Sequence, residues 1–544
     1  MNSQIKRAAF LFSAVLALDG CARRESAPQT DTQPILRISQ RNEPADLDPA
    51  IASLPDEFFV IRALSEGLVI PAPDGGNVLP AAAERWDVSP DHLEYTFHLR
   101  SNERWSNGEP VISNDFLESF RRVLSPGTAA PNAALFFPVK NARDYLSGKL
   151  DDFGSVGLKA PDSRTLAVIL GRPMPPGEFL LYAASGPWIP VNPRTVARFG
   201  RQWTRPGYFV GNGAYRLTEW LPNQRITVRP NPFYRAAGQV RLAAIQFVRF
   251  DDEDSEERAY RAGQIDVTMK IPTDRIDTYA RERPAELHRA PLAETRYLSF
   301  NTRRPPLNDP RVRQALSLTI DRQRIVNDVL RGGQEPAGQL IPAAISAGMP
   351  GDSPRRTPGY NPDEARKLLA AAGYPGGRNF PHLELAGWSS TPVLEAIQAM
   401  WKKELGIDAV IVLREARAHV AALRSGAYDI GFITLIPDVP VPISILENFT
   451  SDSPNNYPHW SDAIYDGLLQ QAEAAGDSAD AKLLLRRAES RLLAEAPLAP
   501  VYFNSKDWLM GTYVHGWRED ALWTRYYGDL WMDNAGARAE PLRR

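Results

Sequence analysis

Residues 297–330 decide the fold, and they read YLSFNTRRPPLNDPRVRQALSLTIDRQRIVNDVL. The stretch opens with alternating bulky and small residues, which is typical of a strand, and continues through a turn rich in proline and asparagine. Asp309 before Pro310 predicts a helix start, because aspartate accepts free backbone N–H groups and proline at the first helical position loses no hydrogen bond. Asp321 predicts the cap of a second helix in the same way.

The bulk composition is that of an ordinary globular protein. The chain has 544 residues, of which 43% are hydrophobic and 24% are charged, and this length suits roughly two to four domains. A net charge of −2 gives no electrostatic support for a nucleic-acid partner. The acidic run at 251–257 predicts a helix start or a solvated face rather than a cation site.

The N-terminus is typical of an export signal. Lys6 and Arg7 precede an apolar run at 8–18, which is too short to cross a bilayer core as a helix. The sequence then ends in Leu-Asp-Gly-Cys21, which resembles a bacterial lipobox, and Cys21 is the single cysteine of the chain. We therefore expect a lipoprotein signal peptide over 1–21, with a lipid on Cys21. A plain signal peptide with a chance cysteine is the alternative.

The polar residues 22–34 predict a flexible tether after the signal peptide. A single cysteine excludes disulfides within the chain and cysteine-based metal clusters. Motifs typical of hydrolases, metalloproteases and phosphate-binding loops (GxSxG, HExxH, GxxxxGK[ST]) do not occur in the sequence. We therefore expect a protein that is not an enzyme and that carries no cofactor and no metal.

Several further segments share one resemblance. They are NEPADLDPAI at 42–51, AAAERWDVSPDHLEYTFHLRSNERWSNGEPVISNDF at 81–116, YRAGQID at 260–266, and the segment 297–330. Together they resemble the oligopeptide- and dipeptide-binding proteins that serve ABC transporters, which are bacterial extracellular solute-binding proteins of family 5. The resemblance covers about residues 35–535.

This resemblance implies an α/β, two-lobed periplasmic-binding-protein fold with a hinge between the lobes and an extra subdomain inserted in the first lobe. By analogy, lobe one takes 35–69, 185–291 and 505–535, the inserted subdomain takes 70–184, and lobe two takes 292–504.

The stretch YDIGFITLIPDVPVP at 428–442 resembles the segment in which the family's oligopeptide branch holds the ligand's amine. The match implies that Asp438 pairs with that amine, since a desolvated ammonium needs an anionic partner; an exposed loop aspartate is the alternative. Ile436 and Pro437 are expected beside the ligand. Leu435 replaces a family tryptophan, and Phe432 stands where the best-known oligopeptide binders have an arginine for a ligand carboxylate.

Two other segments complete the expected peptide-binding site. Ser53 and Leu54, after the LDP turn, are expected to make backbone contacts to the ligand. Trp388 follows a predicted strand and either lines the cleft or lies in the core; the sequence leaves both open.

We therefore expect the extracytoplasmic solute-binding component of an ABC importer. It would close two lobes on short peptides and deliver them to the permease, as a monomer anchored by lipid in the periplasm or at the cell surface. Two alternatives remain open: the same scaffold binding another solute (a nickel chelate, haem, an opine, a sugar or a cell-wall peptide), or a periplasmic chaperone or sensor without transport.

Overall fold

The computed structural model describes residues 33–72, 76–346, 359–388, 392–476 and 478–533. The predicted signal peptide with Cys21, and nearly all of the predicted tether, lie outside these residues. Within the described part of the chain, no helix is long and apolar enough to cross a membrane.

Strands from both ends of the N-terminal half build the sheet that defines the first lobe. Its four strands lie in the order Ile35–Gln40, Ala244–Arg249, Arg225–Pro230 and Tyr215–Leu221. The first two strands pair in parallel and the others pair antiparallel. Alternating apolar residues such as Leu36 and Ile38 face a buried core against the helix Pro55–Leu64.

A second four-stranded sheet defines the inserted subdomain. Its antiparallel strands lie in the order Ala83–Val88, Glu94–Leu99, Thr165–Ile169 and Leu158–Asp162. Every second side chain of the strand Glu94–Leu99 faces inward, namely those of Tyr95, Phe97 and Leu99, as the period of two in the sequence predicts. They pack on the helix Ser113–Leu124 in a separate core.

A six-stranded mixed sheet defines the second lobe. Its strands lie in the order Glu335–Pro336, Leu498–Leu509, Leu287–Phe300, Ile430–Leu435, Leu383–Gly387 and Ala409–Leu413. This sheet has a hydrophobic core on each face: Leu298 and Phe300 face one core, whereas Tyr297 faces the other. Burial on both faces explains why the central strand Ile430–Leu435 is apolar at nearly every position.

The two longest strands connect the lobes. Leu287–Phe300 and Leu498–Leu509 pair antiparallel, and their register shifts between Pro291 and Thr295. Beyond this shift Trp508 packs in the core of the first lobe. The shift therefore lies between the part of the strand pair that belongs to the six-stranded sheet and the part that reaches the first lobe.

The helices cover the sheets and are joined by short turns. Their bounds are Pro55–Leu64, Ser113–Leu124, Ala142–Leu146, Pro176–Ala183, Pro193–Phe199, Glu253–Arg261, Ile276–Glu282, Pro310–Leu318, Arg322–Arg324, Pro362–Ala371, Pro392–Leu405, Ala416–Ser425, Pro442–Leu446, Ala463–Ala475 and Ala479–Glu495. Two-stranded ribbons pair Val69–Pro71 with Val78–Pro80 and Val514–His515 with Trp531–Met532.

The predicted helix at Pro310 is confirmed, and the one after Asp321 is partly confirmed. The Asp309 side chain accepts a hydrogen bond from the backbone N–H of Arg311 at 2.9 Å. Asp321 caps Arg324 at 3.0 Å, but the α-helix ends there, and Ile325–Leu330 continues as a wider π-helical turn.

The apolar spacing in FFVIRALSEGLV at 58–69 predicts a helix over these residues, but the helix has other bounds. It spans Pro55–Leu64, because the Leu64 carbonyl accepts a hydrogen bond from the N–H of Gly213 at 2.8 Å. That contact ends the helix, and the chain continues as the strand Val69–Pro71.

Candidate functional site

A cleft with a cavity of about 210 Å³ lies where the first lobe, the inserted subdomain and the second lobe meet. The N-terminal part of its wall contains Ser53, Phe58 and Arg62; the second lobe supplies the segment 436–440, and the turn 520–524 closes another side. Phenylalanine, leucine and proline side chains form much of the surface. Largely apolar walls with a few polar groups are typical of ligand sites.

Asp438 projects into this cleft from a proline-rich segment. It follows the strand Ile430–Leu435, and it stands between Pro437 and Pro440, which have no N–H to offer a carboxylate. Among the described residues, its carboxylate has no hydrogen-bond or ion-pair partner. The side chain is open to the solvent of the cleft, yet the surrounding walls desolvate the carboxylate and raise its pKa.

Other acidic groups surround this end of the cleft. Burial, together with the negative charges of Glu473, Asp438 and Glu178, raises the pKa of Glu447 to about 7, against the opposing effect of Arg172. Burial, followed by Glu447, also raises the pKa of the nearby Tyr182. This end of the cleft therefore favours a cation.

Side chains from both lobes meet beside Asp438. Val439 of the second lobe is buried against Leu135 and Leu181 of the inserted subdomain. Arg172 and Glu473 form an ion pair across the same boundary at 3.2 Å. These contacts hold the second lobe against the inserted subdomain and leave the cleft between them.

The opposite wall carries a positive charge. Arg62 lies in the last turn of the helix Pro55–Leu64, and its Nη2 donates to the carbonyl oxygen of Ala184 at 3.2 Å. Burial lowers the pKa of its guanidinium, and Asp520 acts in the opposite direction. Sequence reasoning missed Arg62, because only the fold brings the end of this helix next to Asp520 and Ala184.

Ser53 and Leu54 reach the cleft differently from the expectation. Ser53 lines the cavity, whereas Leu54 is not part of its wall. Both backbone N–H groups donate to Oε2 of Glu57, at 2.7 and 3.0 Å. These two donors are therefore occupied within the protein, and a ligand strand would find only carbonyl acceptors there.

The other expected residues divide between cleft and core. Ile436 and Pro437 line the cavity, and Ile436 is 52% exposed. Phe432 is 3% exposed and Leu435 8% exposed, each in one of the two cores of the second lobe, because successive strand residues face opposite sides. Trp388 packs against the second of these cores, with the Arg296 guanidinium 5.0 Å from its ring centre. The structure brings none of these three to the cavity wall.

No group of three or more histidine, cysteine or acidic side chains arranged for a metal occurs among the described residues. Two α/β lobes, an inserted subdomain and a cleft whose carboxylate has no partner among the described residues define a two-lobed solute-binding protein. The family model described as bacterial extracellular solute-binding proteins, family 5 middle, matches residues 77–457. The chain belongs to this family.

Similar proteins cover nearly the whole chain. It is 34% identical to the probable deoxycholate-binding periplasmic protein YgiS of Escherichia coli (strain K12), across 92% of this chain and 93% of the relative. It is 32% identical to the periplasmic murein peptide-binding protein MppA of the same organism, across 89% and 91%. The solved complex of Haemophilus influenzae OppA with RPPGFSPFR superposes with a TM-score of 0.76 at 27% identity, across 92% of this chain and 99% of that one.

Proposed function

We propose that this protein captures short peptides in the cleft between its lobes and presents them to the permease of an ABC importer. The observation that carries the proposal is Asp438: a desolvated carboxylate that faces the cleft and has no partner among the described residues. A ligand ammonium supplies that partner, and a charge-assisted hydrogen bond is among the stronger polar contacts in proteins.

The proposed ligand contacts surround this anchor. Ile436 and Pro437 lie beside the first ligand residue, and the Ser53 carbonyl lies on the facing wall. Closure of the lobes over the peptide excludes water from the Asp438–ammonium contact, and ligand binding shifts the open–closed equilibrium because only the closed form makes both sets of contacts.

The hinge and domain boundaries form part of the proposal. The register shift between Pro291 and Thr295 supports a boundary near residue 291 on one connecting strand and near residue 504 on the other. We assign 35–69, 185–291 and 505–535 to the first lobe, 70–184 to the inserted subdomain, and 292–504 to the second lobe.

We further propose that the protein is anchored to a membrane through a lipid on Cys21 and faces the periplasm or the cell surface. The apolar run that precedes Cys21 in the sequence and the periplasmic location of the named relatives support this placement. Metabolic labelling with a tagged fatty acid tests it, with Cys21→Ser as the unlabelled control; label retained in that variant would contradict the anchor.

Binding measurements on protein refolded to remove bound ligand test the peptide proposal. We expect thermal unfolding to shift upward with unmodified peptides of two to five residues, and the shift to shrink when their amine is acetylated. Absence of any shift with peptides, together with a shift from a non-peptide solute, would contradict it.

A second candidate is an amphipathic carboxylate, the class to which deoxycholate belongs. Two observations favour it: the largely apolar cleft wall, and Arg62 on that wall. Such a ligand has no amine and carries a negative charge, so Asp438→Asn would leave its affinity unchanged or raise it, whereas the peptide proposal requires that peptide affinity falls in this variant. The same thermal-shift experiment with deoxycholate distinguishes the two candidates.

A further inference from the structure

The Arg62 guanidinium has more hydrogen-bonding capacity than its surroundings use. A guanidinium carries five N–H donors, and among the described residues the side chain donates to the Ala184 carbonyl alone. No carboxylate of the described residues forms an ion pair with it. Arg62 lines the cavity that also contains Asp438.

The nearby negative charge does not replace such a pair. Asp520 stabilises the Arg62 cation through space, but Oδ1 of Asp520 already accepts the backbone N–H groups of Leu522 and Thr524, both at 2.9 Å. Burial lowers the pKa of Arg62 despite that charge. A half-buried cation with incomplete compensation favours an incoming anion.

Other arginines nearby are already paired. Arg62 also lines a second cavity, of about 190 Å³, together with Arg235, Arg518 and Arg525. Arg235 binds Glu66 through two hydrogen bonds, at 2.7 and 3.0 Å, and Arg518 pairs with Asp529. Arg525 forms an ion pair with Glu519 at 3.7 Å. Arg62, which lines both cavities, has no such carboxylate among the described residues.

A second unused donor lies on the same wall. The Ser185 hydroxyl is buried and has no hydrogen-bond partner within the described part of the chain, and Ser185 directly follows Ala184, whose carbonyl accepts the hydrogen bond from Arg62. Ser185 and Arg62 both line the cleft that contains Asp438. A guanidinium and a hydroxyl on one wall suit the two oxygens of a carboxylate, since charged donors and acceptors form the shortest and strongest hydrogen bonds.

We propose that Arg62 and Ser185 form a subsite for a carboxylate of the ligand, which in a short peptide is the C-terminal one. The inference rests on the proposed function, because it assumes a peptide in this cleft. Asp438 on the second lobe then holds the amine and Arg62 on the opposite wall holds the carboxylate, so the ligand class is the short zwitterionic peptide with both ends free. This subsite supplies the anionic contact that Phe432, packed in the core, does not make.

Isothermal titration of the unliganded protein with trialanine, its C-terminal amide and its N-acetyl derivative tests the subsite. We expect amidation to raise the wild-type Kd by about 10- to 150-fold, the range for a hydrogen bond to a charged group. In Arg62→Gln, the free acid and the amide bind with equal Kd, while the penalty for N-acetylation stays. Arg62→Lys keeps part of the preference for the acid, and the exposed Arg201→Gln serves as a control with wild-type behaviour.

The outcomes separate the subsite from the function. Equal wild-type affinity for acid and amide overturns the carboxylate subsite and leaves peptide capture intact, and this comparison needs no variant that folds. A preference for the acid that persists in Arg62→Gln also overturns it. If an internal aspartate in the peptide abolishes the rise in Kd on C-terminal amidation, the subsite binds a side-chain carboxylate instead of the C-terminal one. Absence of binding by every peptide overturns the proposed function together with the subsite.

Discussion

Replacing Asp438 by Asn removes the charge that we assign to the ligand's amine and keeps the size of the side chain. An exposed ion pair contributes about 0–1 kcal/mol, whereas a hydrogen bond to a charged group in a desolvated site contributes about 1.5–3 kcal/mol. The raised pKa of Asp438 places this carboxylate in the second range once the lobes close. We therefore expect the Kd for unmodified peptides to rise by roughly 10- to 150-fold.

The assay is isothermal titration of wild type and Asp438→Asn with a tripeptide and with its N-acetylated form. Acetylation should weaken binding to the wild type and have little effect in the variant, because the variant has no charge for the ammonium to meet. The unliganded variant should also unfold at a higher temperature at pH 7, since an unpaired, desolvated charge is removed. An equal loss of affinity for both peptides would refute the assignment of Asp438 as the amine anchor.

Three further changes probe the cleft and the residues around it. The pKa of Glu447 in the folded protein is raised to about 7. The protonated Glu447 therefore stabilises the fold at low pH, and this stabilisation is lost as the pH rises through about 7. Tm measured from pH 4 to 8 should fall less in Glu447→Gln than in wild type. A Cβ at Gly186 would overlap the Phe58 ring, so Gly186→Ala should destabilise the fold by about 1–3 kcal/mol and weaken peptide binding. A Cβ at Gly177 meets no atom, so the control Gly177→Ala should keep wild-type stability in denaturation and wild-type peptide affinity in titration. Arg172→Gln removes the ion pair with Glu473 and should raise the peptide Kd by up to about fivefold, which is the value of one surface ion pair. A difference in Kd between variant and wild type that persists at 1 M salt would contradict this ionic origin.

Local chemistry made much of the fold predictable. Asp309 before Pro310 marks a helix start that the structure confirms with a side-chain cap, because capping depends on a few adjacent residues. The helix Pro55–Leu64 was harder to delimit, since its end is set by a hydrogen bond from Gly213, which is distant in sequence.

The site was less predictable than the fold, for the same reason. The family resemblance pointed to Asp438, Ile436 and Pro437, which the structure brings to the cleft. It did not reveal that Phe432 faces a core, which follows from the register of one strand. Arg62 and Ser185 gave no sequence signal, because their significance depends on which donors remain unused after the lobes assemble.

The central claim is that this protein carries short peptides between its lobes. Native mass spectrometry of the protein purified without denaturation, followed by identification of what denaturation releases, tests it most directly. We expect a set of adducts that sequence as short peptides with a free amine and a free carboxylate. A single non-peptide species released from the cleft would contradict it.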